Sequence, residues 1–449
     1  MHVVIIGAGE VGQYLAQRLT AEGHDIVVVE QDPRLAAKLA ESLDIQVVVG
    51  SGSDPASLSA AKTDRAELLA AVTDNDEVNL IASALAKELG VPTRSVRLQQ
   101  RSLRGPEAES LRRLMGASIV MDPDSDTADE IFELLQNTGA DEVYPISKGE
   151  LSIVGAVVAE GAAVEGQSLI DIAASFEPNW NFLFGAVTRD GKTNIPRGDQ
   201  MILAGDHVRV ICRKNARADI LDLLGVHAGK ARRVMILGGG AIGSQLAQRL
   251  QHDGTDVVVV ERDPDQARSL AERLPGVTVI LGDITDSELL VEEDVGRMDA
   301  VVAATGEDAA NVLACTLAQA EGSALTIVVL HRLELLPLVR QFGINVAISP
   351  RTASANSVLR LVRGDVSVAT FLESDIEVDE LQVQALSSVC GQQVKDLHFS
   401  HDLLLAAVIR DDGSSEIVRG ATRLLANDHV VLFAQPNALA KARQAFTAP

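Results

Sequence analysis

The sequence predicts an α/β protein with two Rossmann-like parallel-sheet domains, each followed by a small α+β domain. Three observations carry this. Val3-Val4-Ile5-Ile6 is a short apolar run leading directly into Gly7-Ala8-Gly9-Glu10-Val11-Gly12, and an acid, Glu30, closes the next apolar run. The same order recurs at Val234-Met235-Ile236-Leu237-Gly238-Gly239-Gly240-Ala241-Ile242-Gly243, with Glu261 in the matching place. Both halves then alternate short Val/Ile-rich runs with helical segments, the pattern of strands and crossover helices in a parallel sheet. Self-similarity of this kind marks a tandem protein.

In the first half, strands are expected at residues 3–6, 25–29, 46–49, 68–72 and 94–98, with a sixth at 119–121. Helices are expected at 11–21, where Leu15 and Leu19 share a face, at 33–41, at 77–89 and at 127–135. Thr73-Asp74-Asn75-Asp76 precedes the third of these and offers capping side chains. From about Gly139 the pattern changes to short extended pieces, 142–146, 183–188 and 207–212, separated by Gly, Pro and Asp. Arg189-Asp190-Gly191 and Pro196-Arg197-Gly198-Asp199 read as hairpin turns. His227-Ala228-Gly229-Lys230 is a brief linker.

The second half repeats both units at a shift of 231 or 232 residues, with strands expected at 234–237, 256–260, 278–281, 300–304 and 326–330. Ile348-Ser349-Pro350 and a helix at 355–362 answer Met121-Asp122-Pro123 and its helix. In the small unit, Arg189-Asp190-Gly191 returns as Arg410-Asp411-Asp412-Gly413, and Gly205-Asp206-His207 as Asn427-Asp428-His429. The expected domains are therefore 1–138 and 231–365, large, and 139–226 and 366–449, small.

Composition narrows the function. At 449 residues the chain exceeds one average core, and 47% hydrophobic content argues for buried interiors. Lys and Arg total 39 against 63 Asp and Glu, a formal charge of -24 that repels a nucleic-acid backbone, so no nucleic-acid partner is expected. Cys212, Cys315 and Cys390 are widely spaced and read as small buried hydrophobes in a reducing compartment. The N-terminus enters a strand at once, and no apolar run reaches the ~18 residues of a spanning helix. A cytoplasmic protein that meets a membrane only through a partner is expected.

The glycines and acids point to a nucleotide. Gly7 and Gly238 permit a tight turn, Gly9 and Gly240 remove the Cβ that would obstruct a diphosphate, and Gly12 and Gly243 let helix approach sheet. The helix N-terminus then offers unpaired N–H groups to the phosphates. Glu30 and Glu261, each 18 residues beyond the last glycine, are placed to accept hydrogen bonds from ribose hydroxyls. Their charge disfavours a 2'-phosphate, so NADPH is less suited than NADH, while ATP, ADP and AMP remain permitted.

Beyond the third strand the copies differ: Gly282-Asp283 brings a carboxylate to the adenine end, where the first copy has Gly50-Ser51. Thr73, Asp76 and Asn79, with Thr305, Asp308 and Asn311, sit where the fourth strand meets its helix, as rim residues or as caps of that turn. Arg97, near the end of the fifth strand, suits either a phosphate or an ordinary ion pair.

A hydride-transfer enzyme also needs an acid or base beside the nicotinamide. Tyr14 lies in the glycine-turn helix without a Tyr-x-x-x-Lys partner, Tyr144 lies in a strand of the small unit, and His207 and His429 read as satisfied structural histidines. There is no Gly-x-x-x-x-Gly-Lys-Ser/Thr loop for ATP hydrolysis and no metal-ligand spacing. A regulatory protein that spends binding energy on conformational change is expected, and an NAD-dependent oxidoreductase is the alternative.

With these residues in place, the chain resembles the regulatory proteins of Trk potassium uptake, the TrkA family, built of two tandem regulator-of-potassium-conductance (RCK) modules. Gly7-Ala8-Gly9-Glu10-Val11-Gly12 with Glu30, Asp74-Asn75-Asp76-Glu77-Val78-Asn79, Arg189-Asp190-Gly191, Pro196-Arg197-Gly198-Asp199, Gly205-Asp206 and the set beginning at Gly238 carry the resemblance. It implies a cytosolic subunit, peripheral at the inner face of the cell membrane, that assembles as a homodimer or homotetramer beneath a Trk-type potassium-translocating subunit. It implies NAD or NADH as ligand, with ATP, ADP or AMP in one or both halves, and no catalytic residues. By position, Gly7, Gly9, Val11 and Gly12 would contact phosphate, Glu30 ribose, Ser51 the adenine-side wall and Thr73 the rim. In the second pocket Gly238, Gly240, Ile242 and Gly243 would contact phosphate, Glu261 ribose and Asp283 the adenosine region. The family's usual aspartate is replaced by Ser51.

Overall fold

In a computed structural model of the protein, β1 (His2–Ile6), β2 (Asp25–Glu30), β3 (Gln46–Val49), β4 (Leu68–Ala71), β5 (Thr93–Arg97) and β6 (Ile119–Met121) form one sheet. Its order is β3-β2-β1-β4-β5-β6, and its neighbouring strands pair in parallel. The structure describes the chain except residues 22, 147–148, 179, 227–228, 353–354, 356–357, 360–368, 371–375 and 448–449. Part of the expected linker 227–230, most of the expected helix 355–362 and the expected boundary at 365 lie outside the described residues.

β1 is buried on both faces because helices cover both sides of the sheet, so its sequence is continuously apolar rather than alternating. Helix α1 (Glu10–Ala21) buries Val11, Leu15 and Leu19 at helical spacing. Each fully buried Val or Leu contributes about 1.5–3 kcal/mol relative to leaving it exposed. Helix α2 (Pro33–Ser42) starts at Pro33 after the Asp32 cap, whose carboxylate accepts the Arg34 N–H at 2.8 Å. Helix α3 (Pro55–Ala60) is capped in the same way by Asp54. Helix α4 (Asp76–Glu88) is capped by Asn75, which accepts from the Val78 N–H at 2.9 Å.

The small unit that follows contains β7 (Glu142–Ile146), β8 (Leu151–Val157), β9 (Phe182–Arg189), β10 (Lys192–Asn194) and β11 (His207–Arg213), in the order β10-β9-β11-β8-β7. Arg189-Asp190-Gly191 makes the β9–β10 hairpin. Pro196-Arg197-Gly198-Asp199 departs from expectation. It forms a turn, with the Gln200 N–H donating to the Arg197 carbonyl at 2.8 Å, but joins no adjacent pair of strands, since β11 pairs with β8 and β9. The repeated Arg and Asp signals meet in space: Arg189 grips Asp206 with two bonds of 2.6 and 2.7 Å, and Arg410 pairs with Asp428.

The second half repeats this architecture. β12 (Arg233–Leu237), β13 (Asp256–Glu261), β14 (Thr278–Leu281), β15 (Ala300–Ala303), β16 (Thr326–Val329) and β17 (Val346–Ile348) take the order β14-β13-β12-β15-β16-β17. The last sheet contains β18 (Ala369–Thr370), β19 (Glu377–Gln382), β20 (Leu403–Ile409), β21 (Ser415–Ile417) and β22 (His429–Ala434), in the order β18-β19-β22-β20-β21. Cys212 and Cys315 are buried, and burial pushes their thiols up to about 12, consistent with packing rather than redox chemistry.

Packing does not follow chain order everywhere. One compact unit contains Met1–Ala128 and Ile348–Asp365, and the other contains Asp129–Ala347 and Val366–Pro449. In the first, Ala355, Val358 and Leu359 enter the core built from Val3, Ile5, Val11, Leu15 and Leu19. In the second, Asp129, at the middle of the helix Pro123–Leu135, accepts from Arg249 at 2.6 Å, and Gln136 donates to Asp253 at 2.7 Å. The four sequence-defined domains are thus our proposed division along the chain, and the packing units cut across it.

The two small sheets share a core in which Ile153, Ala186 and Ile211 meet Val378, Val431 and Phe433. A Cβ at Gly185 would lie 2.2 Å from the Phe433 ring. Gly185→Val should therefore cost about 1–3 kcal/mol, read as a lower melting temperature, while Gly191→Ala would probe only the open turn.

Candidate nucleotide sites

Each glycine turn lies at the carboxyl end of its sheet, between the strand pairs β2/β1 and β1/β4 or their repeats, where successive crossovers leave in opposite directions and open a crevice. The turn itself is fixed by backbone bonds, Gly7 N–H to Val29 C=O at 2.8 Å and Gly238 N–H to Val260 C=O at 2.9 Å. Gly7 and Gly238 have φ of +104° and +111°, a region unfavourable for a side chain. A Cβ on Gly12 would sit 1.9 Å from the Gly7 carbonyl oxygen, and one on Gly243 equally close to that of Gly238. At Gly9 and Gly240 nothing lies within 4 Å of the Cβ position. The third glycine is thus demanded by the protein itself, whereas the second leaves a clear space above the helix N-terminus.

That space adjoins helix N–H groups that make no helical bond. The first helical bond of α1 is Gln13 N–H to Gly9 C=O, and in the second copy Ser244 N–H to Gly240 C=O, so the preceding N–H groups have no carbonyl in an earlier turn. The side chains of Val11 and Ile242 are buried, leaving only their backbones to meet a phosphate.

Glu30 and Glu261 face the loops from the ends of β2 and β13. Glu30 accepts the Ala8 N–H at 2.5 Å and the Asp32 N–H at 2.8 Å. Glu261 accepts the Gly239 N–H at 2.7 Å and the Asp263 N–H at 2.8 Å. A carboxylate has about four acceptor positions, so each retains capacity for a ribose hydroxyl. Two glutamines complete the loops and carry no signal in the sequence: Gln13 donates to the Ala8 carbonyl and Gln266 to the Gly239 carbonyl, both at 2.7 Å. They come from different helices, so no shared spacing announces them.

Ser51 bonds Ser53 at 2.8 Å in a local turn. Its counterpart Asp283 is exposed and accepts from the N–H and hydroxyl of Thr285, bonds that hold its carboxyl below the usual range. Arg262 pairs with Glu307 at 2.7 Å in the second copy, where the first has Gln31 and Asn75. The loops around Ser51 and Asp283 therefore differ in charge between the two copies.

Thr73 packs its methyl against Gly7 and donates its hydroxyl to Asn79 at 2.6 Å. Asn79 in turn donates to the carbonyls of Thr73 and Arg97, and Thr305 and Asn311 repeat the arrangement. Asp76 accepts the N–H groups of Gln99 and Gln100. In the second copy burial opposes ionisation of Asp308, but the N–H groups of His331 and Arg332 overcome it and lower its pKa. These residues tie the fourth strand's loop to the fifth strand, so their structural role is explicit. Arg97 is partly desolvated, which lowers its pKa against the attraction of Asp124, Asp74 and Asp76. His207 lies 2.9 Å from Asp141, and Tyr144 is held in β7.

The TrkA-N domain model matches residues 3–123 and 234–350, and the TrkA-C domain model matches 153–225 and 380–447. The chain belongs to the TrkA family. A Trk system potassium uptake protein TrkA homolog of Archaeoglobus fulgidus is 32% identical, across 99% of this chain and 100% of its own. The Trk system potassium uptake protein TrkA of Haemophilus influenzae is 30% identical, across 96% and 95%. Among solved structures, the GsuK RCK domain superposes with a TM-score of 0.60 at 18% identity, covering 99% of this chain and 94% of that one. The GsuK channel bound to NAD gives 0.61 at 17% identity, covering 99% and 78%. At these identities the likeness is one of fold, and it agrees with the tandem of parallel and antiparallel sheets. Among the described residues no helix is long and apolar enough to cross a membrane.

Glu30→Ala and Glu261→Ala should each weaken nucleotide binding in their own half by about 10- to 100-fold, the cost of ribose hydroxyls left without a charged acceptor. Calorimetric titration of NADH and ADP checks this, and unchanged affinities would reject the ribose assignment.

Proposed function

We propose that this TrkA-family chain is a cytoplasmic, nucleotide-binding regulatory subunit of a Trk-type membrane potassium uptake system. The observation that carries the reading is the pair of glycine cradles, each open at its second glycine and each faced by a glutamate. Gly7, Gly9, Gly12 and the Val11 backbone, with Gly238, Gly240, Gly243 and the Ile242 backbone, would hold the phosphates. Glu30 and Glu261 would hold ribose, Ser51 and Asp283 the adenosine side, and Thr73 the rim. NAD or NADH is the leading ligand, supported by the fold this chain shares with the NAD-bound GsuK channel, and ATP, ADP or AMP suits the same chemistry in either half.

The output is conformational rather than catalytic. A ligand that binds one arrangement of the two halves better than another shifts the population by that difference in affinity, and no reacting group is required. Assembly as a homodimer or homotetramer would give the movement a surface on which to act at the inner face of the membrane. Potassium flux into proteoliposomes containing a Trk-type translocating subunit, with and without this protein and each nucleotide, tests the reading. Flux should change when protein and nucleotide are both present; indifference to every combination would reject it, and turnover of NADH with carbonyl substrates would favour an oxidoreductase.

A further inference from the structure

The first pocket carries an acid where the second does not. Glu10 is the first residue of α1, directly after the open Gly9, and Ala241 occupies the same place in the second copy. A carboxylate suits a helix N-terminus on its own. Beside a bound diphosphate it is a like charge, unless a cation accompanies it.

That cation is present, and it comes from the second half of the sequence. Arg351, in the segment that folds with residues 1–128, forms an ion pair with Glu10. The Arg351 side chain is about a quarter exposed, and partial burial lowers its pKa. The contact is anchored, because Ala355, Val358 and Leu359 of the same segment sit in the core with Val11 and Leu15 of α1. In the sequence repeat the counterpart of Arg351 is Asp124, which follows Asp122-Pro123 as Arg351 follows Ser349-Pro350. The Glu10–Arg351 pairing therefore distinguishes the two halves.

We propose that Arg351 is a phosphate-reading residue of the first pocket, held by Glu10 until a nucleoside di- or triphosphate supplies a stronger anion. This rests on the nucleotide reading of that pocket. A terminal phosphate brings more charge, and more acceptor oxygens, than a single carboxylate, and a guanidinium matches such a group with paired N–H bonds. Transfer of Arg351 from Glu10 to phosphate would pull on Ala355, Val358 and Leu359, which follow it in the chain. The first pocket would thus report the phosphate content of its ligand to residues that belong, by sequence, to the second half.

The test uses the full chain carrying Gly240→Val, which fills the second cradle so that calorimetry reads the first. Affinities for ATP, ADP and AMP are compared in this parent and with Arg351→Gln, Arg351→Lys or Glu10→Gln added. Arg351→Gln should weaken ATP and ADP by about tenfold or more and AMP by less than about threefold, and Arg351→Lys should recover most of the ATP affinity. Glu10→Gln should tighten ATP and ADP several-fold, a gain that misfolding cannot produce. ATP and ADP affinities unmoved by Arg351→Gln, or weakened by Glu10→Gln with an unchanged melt, would overturn the proposal alone. A parent that retains Gly9 yet binds no nucleotide would overturn the nucleotide reading of the first pocket, and the proposal with it.

Discussion

Gly9→Val and Gly240→Val proteins should melt close to the parent and lose nucleotide binding in the altered half by on the order of 100-fold or more. The added side chain meets no protein atom within 4 Å of its Cβ, and the backbone at neither position requires a left-handed φ. It projects into the space that a diphosphate would fill. Gly12→Val and Gly243→Val should behave in the opposite sense. Their Cβ atoms would fall 1.9 Å from the carbonyl oxygens of Gly7 and Gly238, so the turn must open or the helix must shift. A loss of about 3 kcal/mol or more of stability is expected, at the upper end of overpacking costs, together with loss of binding. Thermal melts and titrations of the four variants separate a cradle for a ligand from a merely tight strand-to-helix turn. Equal destabilisation by all four would favour the latter.

The largest effect on stability away from the pockets should come from Arg209. Its side chain is almost fully buried in the first small sheet, where Nε and Nη2 bind the two carboxylate oxygens of Glu142 at 2.7 Å each. Removing one partner leaves a buried charge without compensation, so Arg209→Ala should cost about 3–5 kcal/mol. The matching residue of the last small sheet is Val431, which is also buried and fills its place without a charge. Replacing both partners by apolar residues, Arg209→Met with Glu142→Leu, should consequently recover most of the loss. Denaturant melts of Arg209→Met, Glu142→Leu and the double variant measure this. A double variant as unstable as the sum of the singles would mean that the pair is worth little and that packing volume alone matters.

Local requirements of the backbone were the readable part of the chain. A strand buried on two faces must be continuously apolar, a turn at φ near +104° needs glycine, and a helix beginning after a strand needs a cap, so β1, Gly7 and Asn75 all announce themselves. The two glutamates were legible for the same reason, since each sits a fixed distance from a glycine turn. Thr73, Asp76 and Asn79 were half legible: their position was clear, but only the folded chain shows how completely their polar atoms serve the loop. What escaped depends on chain segments far apart. Arg209 in a strand looks like an exposed residue until Glu142 is brought to it across Gly155 of the intervening β8. The entry of Ala355, Val358 and Leu359 into the first core, and with it the meeting of Arg351 and Glu10, is written in no local pattern. Apolar residues at helical spacing say that a helix has a core to join, not which one.

Two cradles that accept the same ribose-diphosphate shape are the foundation of the proposed regulation, and the stoichiometry of ADP bound to the purified full-length chain at saturation tests them most directly. Two ADP per chain are predicted, falling to one in either Gly9→Val or Gly240→Val and to none in the double variant. Failure of the parent to bind ADP, or retention of two equivalents in the double variant, would contradict this.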